Sequence, residues 1–295
     1  MQTNDILSIK AYAKINLAID VIKKRPDNYH EVKMIMQSID LFDIINLKNH
    51  DNDIKITSEN KNLPLDNTNL AYKAAQILKE YRHISKGIHI HIDKKIPVAA
   101  GLAGGSADAA AVLIGLNKLW NLDLDMDTLM KLGAKLGSDV PFCIKGGTML
   151  ATGRGEILTA LNKLPELFVI LVKPKFDVST AWVYNNFNKN QVIKTPNIEN
   201  MIIGLEEKNL DQVVENAANV LESVTIKRYP EIEKIKKLLI NEGVLLTLMS
   251  GSGPTVFALS NDSAKATMIF EKLKSQINFN NELFLVKTTR ERGFN

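Results

Sequence analysis

Residues 97–111 read Pro97-Val98-Ala99-Ala100-Gly101-Leu102-Ala103-Gly104-Gly105-Ser106-Ala107-Asp108-Ala109-Ala110-Ala111. This run of small side chains continues into Val112-Leu113-Ile114, so a glycine-rich loop leads into an apolar helix. The first N–H groups of a helix have no intrahelical partner and lie at the positive end of its dipole. Because glycines let an anion approach closely, the stretch predicts a phosphate site. A tight strand-to-helix turn with close helix packing is the alternative.

The loop matches neither common phosphate-binding motif. A Walker loop ends in Gly-Lys-Ser/Thr, whereas Gly105 is followed by Ser106 and Ala107. A dinucleotide fingerprint has the spacing Gly-x-Gly-x-x-Gly, which the glycines at 101, 104 and 105 do not reproduce. The loop alone therefore predicts phosphate binding, but it does not indicate which class of phosphate-binding protein this is.

The composition limits the class of protein. A chain of 295 residues has room for one large or two medium domains. Its net charge of +4 tolerates an anionic ligand and does not call for nucleic acid as a partner. Cys143 is the only cysteine, which excludes an internal disulfide and favours a cytoplasmic location. Because no apolar run is long enough to span a bilayer, a membrane is not an expected partner either.

Strict alternation of apolar and polar residues from Ser8 to Val21 predicts a half-buried strand. Lys14 and Asn16 are two positions apart, so they project side by side from its polar face. Ordinary solvent exposure is the alternative to a functional role for this pair. A turn at residues 23–28 follows, and Tyr29 and His30 lie at its exit. Further strands are expected at 32–39, 44–47 and 54–57, which suggests an antiparallel start to the sheet.

A helix is predicted from a cap at Asn67 or Thr68 to about Tyr81. The next strand carries His89 and His91 on its polar face. They could ligate a metal, but without a recognisable third ligand nearby they also fit solvated side chains.

Asp139 lies between a predicted helix end at Gly137 and Pro141, where the backbone is held in place. The helix that ends there is expected to be capped by Asp127. Asp139 either has a functional role or caps a turn. Cys143 lies among apolar residues and is interpreted as a small buried side chain and not a nucleophile.

The pattern changes near residue 160, where we place a domain boundary. Beyond it, strands are expected at 167–172, 245–249, 255–259 and 283–288, and helices at 179–186, 210–221, 230–243 and 263–277. Ser250-Gly251-Ser252-Gly253-Pro254 forms a second small-residue loop. This mixture of helices and strands predicts an α+β arrangement.

Four segments together resemble the GHMP kinases, the superfamily of galactokinase, homoserine kinase, mevalonate kinase and phosphomevalonate kinase. They are Ala13-Lys14-Ile15-Asn16-Leu17, residues 97–111, Ser138-Asp139-Val140-Pro141-Phe142, and Ser250-Gly251-Ser252-Gly253-Pro254-Thr255. The resemblance implies a ribosomal-protein-S5-like domain at residues 1–160 and a ferredoxin-like α+β domain at 161–295. The active site would lie in the cleft between them.

The resemblance also implies ATP as the phosphate donor. Asn69 and Lys94 would approach the adenine, and the loop would hold the phosphates. The expected ATP-binding residues of the loop are Pro97, Ala99, Ala100, Gly101, Leu102, Ala103, Gly104, Gly105, Ser106 and Ala107. Mg²⁺ would accompany the nucleotide with Ser106 as its protein ligand. No glutamate stands where relatives have a second ligand, so phosphates and water would complete the coordination.

The segment Arg25-Pro26-Asp27-Asn28-Tyr29-His30-Glu31 resembles the branch of the superfamily whose acceptor carries a cytidine diphosphate. The implied reaction phosphorylates the 2-hydroxyl of 4-diphosphocytidyl-2-C-methyl-D-erythritol, in the non-mevalonate route to isopentenyl diphosphate. Asp139 would be the general base and Lys14 its electrostatic partner. The implied substrate-binding residues are Asn16, Tyr29, His30, Thr180 and Tyr184, with the two tyrosines stacking on the cytosine ring.

Two positions depart from the family pattern. Asn28 stands where glycine is usual, and Asn tolerates a left-handed backbone better than most residues. Ala99 stands where many members have glycine.

Two alternative functions stay open beside this one. They are another small-molecule kinase of the superfamily, of the homoserine or mevalonate type, and a catalytically silent RNA-binding relative. Monomer and homodimer both stay open as the oligomeric state.

Overall fold

A computed structural model describes residues 6–276 and 281–289 of the chain. Six strands form the first sheet: β1 Leu7–Lys24, β2 His30–His50, β3 Ile54–Thr57, β4 Gly87–Asp93, β5 Thr148–Thr152 and β6 Ile157–Ala160. The long strand β2 organises the sheet, because it pairs antiparallel with β1, β4 and β5. β3 joins β4 in parallel, and β6 joins β5 in antiparallel register.

The predicted strand at 8–21 is confirmed as β1, and the predicted strands at 32–39 and 44–47 are both parts of β2. β2 does not stop between them because it keeps pairing with β1 from Val32 to Leu47. The alternative of ordinary solvent exposure is wrong for Lys14 and Asn16, whose exposed fractions are 3% and 1%. Their burial is the first sign that other parts of the chain cover this face.

Four helices accompany the first sheet: α1 Leu70–Arg82, α2 Gly104–Leu119, α3 Met126–Leu136 and α4 Val140–Lys145. Two predicted caps are wrong by two residues or fewer. Asn69 caps α1 by accepting a hydrogen bond from the N–H of Ala71, and Asp125 caps α3 by accepting one from Thr128. Several Asx residues precede each helix, so the sequence pattern did not single out the one with the right backbone geometry.

The second sheet has the order β10-β7-β9-β8, with every neighbouring pair antiparallel. Its strands are β7 Phe168–Lys173, β8 Leu246–Met249, β9 Val256–Ser260 and β10 Glu282–Lys287. Its helices are α5 Thr180–Asn185, α6 Ile198–Glu206, α7 Leu210–Glu215, α8 Glu222–Arg228, α9 Glu231–Asn241 and α10 Ser263–Gln276. The sequence pattern missed α4, α6, α8 and β6, and it extended the helix predicted at 210–221 beyond the end of α7 at Glu215.

The two sheets pack against each other through shared apolar clusters. One cluster joins Ile19 and Met36 of the first sheet to Ile170 and Val256 of the second. Sheet membership changes between β6 and β7, which supports the predicted boundary at residues 160/161, although the boundary itself stays a prediction. Within residues 6–276 and 281–289, every helix is too short or too polar to cross a bilayer.

Candidate active site

A cleft of about 940 Å³ lies where the two sheets meet, and both halves of the chain line it. Lys14, Asp139 and the glycine-rich loop come from the first half, while Thr180 and Tyr184 come from the second. Every predicted site residue except Leu102 and Ala107 lines this cleft. The fold therefore collects residues that are far apart in sequence, while their individual roles stay predictions.

The start of α2 has the geometry of an anion site. Ala103 precedes the helix in a left-handed conformation with φ of 59°, and the first intrahelical bond runs from the N–H of Ala107 to the Ala103 carbonyl. The N–H groups of Gly104, Gly105 and Ser106 make no hydrogen bond in the described part of the chain. Three donors at the positive end of a helix thus face the cleft, where a phosphate could accept from them.

Three of the predicted ATP-binding residues already have partners within the protein. Ala107 cannot donate to a phosphate because its N–H is bonded within the helix, and its side chain is buried. The Leu102 side chain packs in the core, and its carbonyl accepts from the N–H of Lys14. The Lys94 ammonium is bonded to Asp43 and Asp108, so it is not available to adenine. Asn69 lines the cleft, but its Oδ1 caps α1.

The second small-residue loop contacts the first directly. The Gly101 carbonyl accepts hydrogen bonds from Lys14 Nζ at 3.1 Å and from Ser250 Oγ at 3.0 Å. A Cβ on Gly101 would lie 2.2 Å from the Ser250 carbonyl oxygen, and Gly101 has φ of 77°. Only glycine fits that position, because a side chain would have both a strained backbone and no room. The second half of the chain thus sets the position of the phosphate loop.

Lys14 and Asp139 form the polar centre of the cleft. Lys14 Nζ donates to Asn16 Oδ1 at 2.7 Å and lies 3.6 Å from Asp139 Oδ2. The Lys14 side chain is 4% exposed, whereas that of Asp139 is 31% exposed. Asp139 precedes the short helix α4 but makes no capping bond with its side chain. The turn-cap alternative is therefore wrong, and the carboxylate is accessible from the cleft.

An aromatic group, formed by Tyr29, His30 and Tyr184, lines another part of the cleft. The rings of His30 and Tyr184 are 5.3 Å apart, and Tyr29 is 53% exposed. Burial, and secondarily the charge of Lys24, lowers the pKa of His30, so its imidazole is neutral at neutral pH. Burial and the nearby charge of Asp139 raise the pKa of the Tyr184 phenol. These rings offer flat apolar faces to a planar ligand.

The turn before these aromatic residues is formed as the sequence predicts. Asn28 adopts a left-handed conformation with φ of 65°. The Asp27 carboxylate accepts from the N–H of Tyr29 and closes the turn. On the second half, the hydroxyls of Thr180 and Ser252 are 2.7 Å apart, which fixes the start of α5 against the second loop.

Sequence reasoning missed two features of the cleft. Arg154 lines it beside Tyr29, and the set of site residues predicted from the sequence does not include it. An arginine between two glycines was the available signal. Asp43, which forms an ion pair with Lys94, carries no such signal, because it is one of three acidic residues within the long strand β2.

The metal-ligating groups of the cleft are few. The described residues contain no cluster of three His, Cys, Asp or Glu side chains that could hold an ion. His89 and His91 lie within hydrogen-bond distance of the Thr57 hydroxyl, and no third ligand joins them in the described ranges. Ser106 and Asp139 both line the cleft, a donor set that suits Mg²⁺ bound mainly by phosphates and water.

Family comparisons agree with this architecture. Residues 69–147 match the GHMP kinases N terminal domain, and residues 193–278 match the GHMP kinases C terminal domain. The N-terminal match contains the glycine-rich loop and Asp139. The C-terminal match contains the small-residue loop at residues 250–254. The chain belongs to the GHMP kinase family.

Within the family, the chain is similar to proteins named 4-diphosphocytidyl-2-C-methyl-D-erythritol kinase. The one from Caldicellulosiruptor bescii is 46% identical, over 98% of this chain and 100% of the relative. The one from Geobacillus sp. (strain WCH70) is 50% identical, over 97% of this chain and 98% of the relative. A crystal structure of 4-(cytidine 5'-diphospho)-2C-methyl-D-erythritol kinase superposes with a TM-score of 0.80 and 28% identity, covering 96% of this chain and 100% of that one.

A homoserine kinase from Cytophaga hutchinsonii shares the fold. Its TM-score is 0.74 at 21% identity, and the match covers 100% of this chain and 97% of that one. Such a likeness extends the family's two-domain architecture to this chain without distinguishing its acceptor.

Proposed function

We propose that this kinase transfers the γ-phosphoryl group of ATP to the 2-hydroxyl of 4-diphosphocytidyl-2-C-methyl-D-erythritol, in the non-mevalonate route to isopentenyl diphosphate. The names of its relatives support this acceptor. The observation that carries the proposal is one cleft in which Lys14 and Asp139, the free N–H groups of α2 and the aromatic group around His30 lie together. Donor, acceptor hydroxyl and cytosine each have a matching surface there.

The chemistry follows from the two charged groups. The acceptor alcohol loses its proton to Asp139 as its oxygen forms a bond to the γ-phosphorus, and the bond from that phosphorus to the ADP oxygen breaks. Lys14 Nζ and the N–H groups of Gly104 and Gly105 would stabilise the negative charge that spreads over the phosphoryl oxygens. These donors are already oriented, because Lys14 is held by Asn16 and by the Gly101 carbonyl.

Mg²⁺ is proposed as the companion of ATP, where it would neutralise charge on the β- and γ-phosphates. Ser106 is its proposed protein ligand, at the start of α2 and on the cleft surface. The remaining coordination would come from phosphate oxygens and water.

Cytosine binding would position the acceptor instead of activating it. Tyr29 and Tyr184 are the proposed stacking surfaces, and His30 the proposed hydrogen-bond partner of the base edge. Asn16 and Thr180 line the cleft on either side. Binding a remote part of the acceptor would hold the 2-hydroxyl near Asp139, which lowers the entropy cost of reaction.

A cytoplasmic location is proposed with this function, supported by the reduced state expected of a chain with one cysteine. Cys143 is half-buried, and burial raises the pKa of its thiol, so it is a poor nucleophile.

The proposed function is tested by a coupled assay of ADP release with purified protein, ATP and Mg²⁺. The acceptors are 4-diphosphocytidyl-2-C-methyl-D-erythritol, homoserine and mevalonate. We expect turnover with the cytidyl acceptor alone, because the two small acids have no ring for the aromatic group to bind. Turnover with homoserine or mevalonate instead would refute the acceptor. RNA binding without any transfer would support the silent relative.

Acidification is expected to weaken acceptor binding before it affects ATP. The lowered pKa of His30 keeps the ring neutral at pH 7, so the base-binding form is lost only as pH falls through a value below 6.5. The KM for the cytidyl acceptor should be constant above pH 7 and rise as His30 protonates, while the KM for ATP stays constant. Steady-state kinetics between pH 5 and pH 8 measure both constants.

The matched variant is His30→Gln, which keeps hydrogen-bonding capacity and cannot titrate. It should show a flat acceptor KM over the same pH range. A wild-type rise that persists unchanged in this variant would assign the titration to another group.

A further inference from the structure

We propose that the Arg154 guanidinium binds the diphosphate of the acceptor, between the cytosine-binding aromatic residues and Asp139. This inference rests on the proposed function and adds the residue that would recognise the acceptor's charged middle. A diphosphate is the most strongly charged part of that molecule, so a cleft built for it needs a cation at that level.

The Arg154 side chain is held on one side only. Its Nε and its backbone N–H both donate to the Glu156 carboxylate, at 3.3 and 2.6 Å. The two Nη groups make no hydrogen bond in the described part of the chain. Guanidinium geometry is planar and fixed, so anchoring Nε orients the remaining fork as a unit. A fork with free Nη donors suits two phosphate oxygens.

A contact with Tyr29 also positions the Arg154 guanidinium. The guanidinium carbon lies 4.8 Å from the centre of the Tyr29 ring, within cation–π distance. One face of Tyr29 is thereby covered, and the ring stays 53% exposed for contact with a base. The cation and the proposed base-stacking ring are therefore direct neighbours. The base and the phosphates of a nucleotide are likewise close to each other, so one ligand could contact both residues.

Gly155, the residue after Arg154, packs near the segment that carries Asp139. A Cβ on Gly155 would lie 2.8 Å from Met34 Cε and 3.8 Å from Ser138 Cβ, so the backbone next to Arg154 packs beside the residue preceding Asp139. Met34 Sδ in turn accepts from the Asn16 amide at 3.7 Å. The side chain of Arg154 thus contacts Tyr29, while the next residue along the chain packs beside the residue that precedes Asp139.

The other cations that line the cleft are already engaged. The Lys14 ammonium bonds to Asn16 and to the Gly101 carbonyl. The Lys94 ammonium bonds to two buried carboxylates. Among the lysines and arginines of the lining, Arg154 therefore has the spare donors in the described structure. Its ion-pair partner Glu156 occupies the Nε side, and the charge of Asp27 lies near enough to interact with it.

Titration calorimetry tests the assignment with two ligands, cytidine and cytidine 5′-diphosphate. Each ligand is titrated into the wild type, Arg154→Met and Arg228→Met. Methionine keeps the stem and removes the donors. Arg228 is an exposed arginine of α8 and serves as the control. We expect the Arg154 variant to bind cytidine 5′-diphosphate about ten- to a hundredfold more weakly and cytidine with unchanged affinity. Its KM for the cytidyl acceptor should rise by the same factor, with an unchanged KM for ATP.

Equal losses for both ligands would overturn the proposal, because they would mean that Arg154 only supports Tyr29. Unchanged affinity for cytidine 5′-diphosphate would overturn it as well. Failure of the proposed function would give a different result. In that case the wild type would not phosphorylate the cytidyl acceptor, regardless of the affinities measured for Arg154→Met.

Discussion

Replacing Asp139 by Asn is expected to lower kcat by about 10²- to 10⁴-fold, the usual contribution of a positioned general base. The amide keeps the shape of the side chain and can still orient a hydroxyl, but it cannot take up its proton. The KM for the acceptor and for ATP should change little, because neither ligand depends on the carboxylate for its main contacts. Steady-state and single-turnover kinetics with the cytidyl acceptor measure the effect.

The position of Asp139 makes this substitution a clean one. The carboxylate makes no capping bond to α4, and its distance of 3.6 Å from Lys14 Nζ is long for an ion pair. Its removal should therefore leave the fold intact. Asp127→Asn is the matched control, since Asp127 is exposed in the first turn of α3 and lies outside the cleft. Full activity of Asp139→Asn would refute the general-base assignment.

Replacing Lys94 by Met is expected to lower the free energy of unfolding by about 3–5 kcal/mol, the usual cost of removing one partner from a buried ion pair. Lys94 Nζ donates to Asp43 Oδ2 at 2.5 Å and to Asp108 Oδ2 at 2.8 Å. All three side chains are 2% exposed or less. Without the ammonium, two carboxylates would share a space closed to water.

The electrostatics of this group agree with that expectation. Burial alone would lower the pKa of Lys94, but the charges of Asp108 and Asp43 raise it above its ordinary value, so the lysine stays charged. Burial raises the pKa of Asp108, while the charge of Lys94 acts in the opposite direction and favours the carboxylate. Asp43 also accepts from the N–H groups of Lys95 and Ile96. The group therefore connects the entry of the phosphate loop to the first turns of α2.

Loss of this connection should also affect the loop itself. A Cβ on Gly104 would lie 2.9 Å from Lys94 Nζ, so the ammonium supports the start of α2 directly. We expect Lys94→Met to raise the KM for ATP as well as to shift urea denaturation. Lys95→Met is the matched control, because Lys95 is exposed and its contact with Asp93 is 3.9 Å long. An unchanged urea midpoint for Lys94→Met would show that the buried group does not stabilise the fold.

The elements with strong local signals were predictable. Strict alternation specified β1, and the run of small residues specified the loop and α2, because periodicity and backbone freedom act within a few residues. The helix predicted at 179–186 is present as α5, where Ser179 is the N-cap and its hydroxyl accepts from the N–H of Trp182. The left-handed Asn28 followed from the tolerance of its side chain for that conformation.

Partners far apart in the chain were not predictable from local patterns. Asp43 and Lys94 are separated by 51 positions, and the Gly101 carbonyl meets Ser250 across 149. Nothing in the alternation around Lys14 distinguishes a solvated lysine from a buried one. The covering groups come from other elements, and their approach depends on how the sheets pack.

The sequence by itself determined a glycine-rich loop at a helix N-terminus, the strand that carries Lys14, and the position of Asp139 before a proline, since each depends on neighbouring residues. Only the tertiary structure decided that Lys14 is buried near Asp139, that Lys94 pairs with Asp43 and Asp108, and that Arg154 covers one face of Tyr29. Those outcomes depend on distances between side chains of different elements. Hydrophobic packing of two sheets sets these distances, and no local periodicity encodes them.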